Sequence, residues 1–252
     1  MDHTAVDGAT PDGLPSARPW TLRIAVQLTV LAAAAFIYGT AEMVPVAALP
    51  AIAADLHVSE ALVGTLLGSY ALVAAVTTVP LVRWTASLPR RRTLLLTLVC
   101  LTASQAVSAL APSFAILAAG RVLCAVTHGL MWSVIVPIGA RLVPATHVGR
   151  AITAVYVGTT LALVVGNPLT AAMSQLWGWR LAVGAVTVAA AAITAAAWLT
   201  LPRMALGDQR VRAVGSPERN YRNRQLAMLS VLTLIGVTGH FVSYTFIVPI
   251  IT

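Results

Sequence analysis

Hydrophobic residues fall in long blocks, broken by short polar connections. Seven apolar segments run Leu22–Leu49, Ala61–Val82, Thr93–Ala111, Phe114–Leu142, Ala151–Met173, Leu181–Leu201 and Gln225–Thr252. Each is about 20 residues or longer, which is what a helix rising 1.5 Å per residue needs to cross a hydrocarbon core of about 30 Å. The pattern predicts an all-α membrane protein with six full transmembrane helices followed by a seventh.

The polar stretches divide the chain further. Residues 1–21 are polar and rich in Pro and Gly. They lack the short apolar core and small-residue cleavage site of a signal peptide, and read as a disordered cytoplasmic leader. Residues 22–201 form the expected six-helix bundle. Residues 202–224, Arg-rich and holding Gly207, Gly215 and Pro217, read as a cytoplasmic linker. Residues 225–252 would then start a second bundle. The run ends at Ile251-Thr252 without a polar flank, so a truncated product is expected.

Composition strengthens the membrane reading. Hydrophobic residues make up 58% and charged residues 10%, against roughly 25% charged in soluble domains; mean hydropathy is +0.86. Every one of the 16 basic residues is Arg. The arginines sit between apolar runs and form no continuous basic face, which argues against a nucleic-acid partner. All but Arg121 and Arg180 lie at the leader, the second, fourth and sixth connections, or their flanks. By the positive-inside rule this places the N-terminus in the cytoplasm of a multi-pass cell-membrane protein. Trp177 and Trp179, on the opposite side, suit the outer interface. Cys100 and Cys124 lie within apolar runs and imply no disulfide framework. No metal-ligand spacing, phosphate-cradling loop or nucleophile triad is present, so neither enzyme chemistry nor a cofactor is expected.

Charged and polar residues inside the apolar segments carry the candidate chemistry. Glu42, in the first segment, is the one carboxylate deep in an apolar run. Near the bilayer centre such a group costs about 3 kcal/mol, and desolvation favours its protonated form. It reads as a proton-coupling or substrate-binding carboxyl, or as a protonated structural Glu tied to another helix. Tyr38 lies one turn before it and can share a hydrogen bond; Gly39 and Pro45 loosen the helix nearby. In the fourth segment Arg121, His128 and Trp132 fall within about 40° of one another on a helical wheel, a face suited to a polar cavity. Arg121 needs a partner. Glu42 is the first candidate, with a structural ion pair or a carbonyl clamp as the alternative role. His128 reads equally as a hydrogen-bonded core histidine, and Trp132 as packing.

The fifth segment carries Gly158, Ala162 and Gly166 at spacings of four, followed by Asn167-Pro168. Small residues on one stripe let another helix approach, and Asn167-Pro168 would bend the helix or free a carbonyl. This is plain packing or a seam that flexes during transport. Gly64, Gly68 and Ala75 form a similar stripe read mainly as packing. Pro89-Arg90-Arg91-Arg92 reads as a topogenic, lipid-facing cluster, and His240 as a satisfied polar residue.

These motifs together resemble the major facilitator superfamily, in its drug:proton antiporter branch of arabinose-efflux-like and chloramphenicol-resistance-like permeases. Gly39-Thr40-Ala41-Glu42 through Leu49-Pro50 to Asp55-Leu56 resembles the branch's opening signature. Ala119-Gly120-Arg121 to His128-Gly129 resembles the fourth-helix motif whose Arg is linked to proton transfer. Gly158 to Gly166-Asn167-Pro168 resembles the antiporter motif, and Gly178-Trp179-Arg180 the usual start of the sixth helix. The sequence departs from the family in the connection Val82–Arg92, which lacks the usual Asp, and after Pro168, where Thr170 and Ala171 replace a glycine pair.

The resemblance implies two six-helix bundles, a midplane site and alternating access. It implies proton-driven export of a small amphipathic molecule (drug, sugar or nucleoside) by a monomer. Glu42 and Arg121 would couple the proton; Tyr38, His128 and Trp132 would line the substrate cavity; Gly158, Gly166 and Pro168 would carry the antiporter motif. The alternatives are a truncated, non-transporting membrane protein and an uncoupled facilitator.

Overall fold

Thr21 opens the first helix by accepting a hydrogen bond from the Ile24 N–H on its side-chain oxygen, which satisfies one of the orphan donors of a helix start. The structure, a computed structural model, describes residues 21–203 and, beyond them, Met228, Val231, Leu232, Ile235 and Gly236. The chain divides into two units, Met1–Met204 and Ala205–Thr252. In the second unit the five described positions are helical. Residues 1–20 of the expected leader, most of the 202–224 linker, most of the seventh segment and His240 lie outside the described residues.

Helix α1 spans Leu22–Ala47 and contains Pro45. It stops two residues short of the expected end. A separate short helix, α2, runs Leu49–Leu56 with a proline in its first turn. A proline there loses nothing, because the first-turn N–H has no intrahelical partner. Ser59 caps α3, Glu60–Trp84, and a single 3-10 turn, Thr85–Ser87, follows. Next come α4, Arg90–Ala109, and α5, Phe114–Arg141.

The fifth segment is one long span in three pieces. After a 3-10 turn, Ala145–His147, α6 covers Val148–Leu161, one π-helical turn covers Ala162–Gly166, and α7 covers Asn167–Trp177. Pro168 accounts for the break, since it has no N–H to give the preceding turn. Gly178, at φ +88°, turns the chain into α8, Trp179–Thr200. Among the described residues six spans are long and apolar enough to cross a membrane: α1, α3 with its 3-10 turn, α4, α5, residues 145–177, and α8.

Helix α1 is the spine. It packs against α6 and α8, while α4 packs against α5 and α8 and α3 against α5. Its apolar stretch is 56% buried, against 22% for α3 and for residues 145–177, so those two spans present broad faces away from the unit's interior. Gly158 explains how α6 comes so close to α1: a Cβ there would sit 1.9 Å from the Ala32 carbonyl oxygen. At Gly166 a Cβ would lie 2.1 Å from Thr40 Oγ1. The stripe of small residues is therefore packed against α1 inside this unit. The stripe on α3 differs from expectation: Gly64, Gly68 and Ala75 are exposed, and a Cβ at either glycine would meet nothing within 4 Å.

The arginine-rich end of the unit is tied at the last turn of α8. Buried Gln27 donates to the Thr200 carbonyl at 2.8 Å, and Arg91 donates to the Trp198 carbonyl. These two side chains satisfy carbonyls that a helix end leaves without partners.

Candidate functional site

Pro45 creates the acceptor at the centre of the site. It has no N–H to offer the carbonyl one turn back, that of Ala41. Arg121, 3% exposed on α5, takes that carbonyl at 2.7 Å and the Glu42 carbonyl at 2.7 Å. The guanidinium is thus held by backbone oxygens, the carbonyl clamp that the sequence offered as the alternative, and not by the Glu42 carboxylate that it put forward first. Each charge-assisted bond of this kind is worth roughly 1.5–3 kcal/mol. The Arg121 guanidinium also lies over the Tyr70 ring, 5.1 Å from its centroid.

With the arginine engaged elsewhere, the Glu42 side chain faces α5. Its Oε2 lies 3.7 Å from His128 Nδ1, with the two side chains 16% and 23% exposed. By helical rise Glu42 is about 7–8 Å from the end of α1 farther from the arginine-rich end, rather than at its midpoint. His128 is at the middle of α5. The same Nδ1 lies 3.0 Å from the Tyr70 hydroxyl. One ring nitrogen therefore has two oxygen neighbours, a phenol and a carboxyl.

Tyr38 does not share a bond with Glu42. Its hydroxyl is 3.1 Å from the Cys124 carbonyl and 3.1 Å from Thr127 Oγ1, and its side chain has no exposed surface. It braces α1 against α5 behind His128, with ring centroids 5.9 Å apart. The cavity-lining role that the family resemblance implied does not fit that burial. Trp132 is partly buried and stacks on Tyr156 of α6, centroids 6.2 Å apart and planes 8° apart. His128 meets Trp132 edge-on at 6.4 Å. A continuous aromatic wall thus runs from Tyr70 through His128 and Trp132 to Tyr156.

A second polar cluster lies at the opposite end from the arginines. Asp55 of α2 pairs with Arg180 of α8 and accepts a bond from Trp179 Nε1 at 3.1 Å. Arg180 also donates to the Ala111 carbonyl at 2.9 Å and covers the Trp179 ring at 4.5 Å. The hydrogen bond from Arg180 holds the Asp55 carboxyl below its usual range. Trp179 is only 3% exposed, so it is a packed member of this cluster and not an interface anchor; exposed Trp177 keeps that possibility.

The Major Facilitator Superfamily profile matches residues 31–252. The chain belongs to this superfamily. It is 68% identical over 234 residues to chloramphenicol efflux pumps of Mycobacterium tuberculosis strains H37Rv and CDC 1551. The match covers 93% of this chain and 57% of each relative, so the chain spans little more than half their length. A solved POT family transporter bound to a thioalcohol-conjugated peptide superposes with a TM-score of 0.60 at 15% identity, over 88% of this chain and 46% of that one. A peptide transporter POT in complex with sulfate gives 0.59 at 12% identity, over 90% and 46%. At such identities the likeness is one of fold.

Within this facilitator fold, sequence reasoning placed Glu42, Arg121, His128 and Trp132 around one region, and α1 and α5 bring them together. Gly158 of α6 and Gly166 of the π-helical turn both pack against α1, and Pro168 lies in the first turn of α7. Reasoning from sequence missed Tyr70 and Tyr156. Both were visible as lone phenols in apolar runs, but helical period cannot say which foreign helix such a group meets. Asn167, buried at the helix break, has neither amide atom bonded. Among the described residues no three His, Cys, Asp or Glu side chains gather as a metal site would require.

Proposed function

We propose that this chain supplies the first bundle of an exporter that moves a small amphipathic drug out of the cell in exchange for protons. The observation that carries the proposal is the Glu42 carboxyl, set inside an apolar bundle, free of the adjacent arginine and facing His128. A group so placed has a protonation state that small changes in access decide. Its position toward the end away from the arginines is, under the positive-inside rule, the outer side, where a proton would enter. The arginine asymmetry likewise supports a cytoplasmic N-terminus for this multi-pass protein in the cell membrane.

Arg121 fixes the backbone beneath Glu42 and adds positive charge nearby without pairing with it, which keeps the proton releasable. His128 receives. With Glu42 protonated, Nδ1 accepts from the Tyr70 hydroxyl at its shorter distance; with Glu42 ionised, an Nδ1–H turns to the carboxylate. Trp132 and Tyr156 offer flat faces for an aromatic substrate, and Tyr38 keeps His128 in place. The relatives' designation as chloramphenicol efflux pumps supports a substrate of that class, a neutral aromatic amphipath. Protons, one small molecule and the bilayer are the partners, and the proton gradient is the driving force, with no cofactor. A facing second bundle would complete the pathway, and a monomer suffices for alternating access.

The test is Glu42→Gln in inverted vesicles carrying the complete exporter. The expected result is loss of pH-driven chloramphenicol movement with drug binding retained. Fully proton-coupled transport by the variant would overturn the proposal.

A further inference from the structure

An open groove of about 540 Å³ lies between α4 and α8, away from the polar site. Leu95, Val99 and Ala106 of α4 and Ala191, Ala195 and Trp198 of α8 form its walls. Thr102 and Thr194 also face it, but each hydroxyl donates to its own helix backbone, at 2.9 Å to Leu98 and 2.7 Å to Ala190. The lining is therefore apolar in effect. Along α4 the wall runs from Leu95 to Ala106, about 16 Å by helical rise, which matches one leaflet of a hydrocarbon core about 30 Å thick.

The helix continues this same face into positive charge. Arg91 and Arg92 lie four and three residues before Leu95, so they stand directly below it at the spacing of one helical turn. Arg91 reaches across the end of the groove to the Trp198 carbonyl, which joins the two walls there. Arg92, one turn before Leu95, is exposed, and Trp198 of the facing wall is 62% exposed. A leaflet-long apolar slot with arginines at one end matches a lipid whose tail is apolar and whose head is anionic.

We infer that the α4–α8 groove is a binding site for an anionic phospholipid of the leaflet at the arginine-rich end. One acyl chain lies along Leu95, Val99 and Ala106, and the phosphate rests on Arg91 and Arg92. This would fasten α8, which carries the chain into the following connection, to α4 through a ligand as well as through direct packing.

The experiment is native mass spectrometry of the full-length chain purified in mild detergent, with added phosphatidylglycerol or phosphatidylcholine of identical acyl chains. The expected result is at least tenfold greater retention of phosphatidylglycerol. Arg92→Gln, at an exposed position, should cut that preference several-fold. The paired change Ala103→Leu and Ala195→Leu, at exposed positions across the groove, should reduce retention of both lipids by filling the slot. Equal retention of the two lipids by the unaltered protein overturns the inference. So does undiminished phosphatidylglycerol binding after the groove is filled. A dimer that disappears on filling the groove would assign the slot to a second copy and overturn it too.

Discussion

Two clusters in this unit use the same three ingredients and arrange them oppositely. At the end away from the basic connections, Asp55, Arg180 and Trp179 are joined directly: carboxylate to guanidinium, indole N–H to carboxylate, guanidinium over indole. Inside the bundle a carboxyl, a guanidinium and an aromatic ring again lie in one neighbourhood, in Glu42, Arg121 and Tyr70, yet the guanidinium binds backbone carbonyls and the carboxyl faces His128. The first arrangement uses its carboxylate to hold elements together, and the hydrogen bond keeps it ionised. The second holds its arginine by backbone carbonyls and leaves its carboxyl facing an imidazole. A single proline separates them, because Pro45 frees the acceptor that draws Arg121 away from Glu42.

The most severe way to break the comparison is Arg121→Ala. It removes two charge-assisted bonds and leaves the Ala41 carbonyl buried without a donor, a loss of roughly 3 kcal/mol or more. The expected outcome is sharply reduced accumulation of the protein and a lower unfolding temperature in detergent. Arg121→Lys should recover much of the accumulation but not transport, since an ammonium cannot present a planar fork to two carbonyls.

Tyr70→Phe comes next. It keeps the ring under Arg121 and removes only the hydroxyl that competes for His128 Nδ1. Stability should change by about 1 kcal/mol. The pH profile of transport should shift while maximal drug binding stays unchanged; a purely structural hydroxyl would leave that profile where it was.

The smallest effects belong to the outer cluster. The Asp55–Arg180 side chains are 43% and 40% exposed, and a double-mutant cycle of Asp55→Asn with Arg180→Gln should give a coupling of about 0.2–1 kcal/mol. Because the Asp55 carboxyl is held below its usual range, its contribution is full above the ordinary carboxylate range and fades as pH falls through its depressed value. Unfolding temperatures measured between pH 7 and 3 should show this acid-side loss in the parent and not in Asp55→Asn. Transport at pH 7 should be preserved, in contrast to changes at the inner cluster.

The sequence made the spans legible because hydrocarbon imposes a length and a composition on each helix. It also brought Glu42, Arg121, His128 and Trp132 to notice, since polar groups in apolar runs stand out. What it left hidden was pairing between helices. Opposite charge suggested Glu42 for Arg121, whereas the carbonyl freed by Pro45 was the better-placed acceptor, a rule readable from Ala41 and Pro45 being four apart. The end of α1 was blurred because Ala47-Ala48-Leu49 is apolar throughout, and Pro50 was the only sign of a new helix. Spacing along the helix offers Tyr38 a hydrogen bond to Glu42, and the family resemblance offers it the cavity, but its rotation toward Cys124 and Thr127 depends on how α1 meets α5. The wide spans of exposed apolar surface on α3 and α6 could not be told from buried ones by hydropathy, because lipid and protein interior both accept Val, Leu and Ala.

Exchange of drug for protons requires Glu42 to give up its proton when drug binds from the inside. Proton release measured in lightly buffered detergent solution, on adding chloramphenicol to the complete exporter, tests it directly. Close to one proton should be released per drug bound by the parent protein, and none by Glu42→Gln at equal occupancy. Unchanged release from the variant would place the coupling carboxyl elsewhere and rule out Glu42.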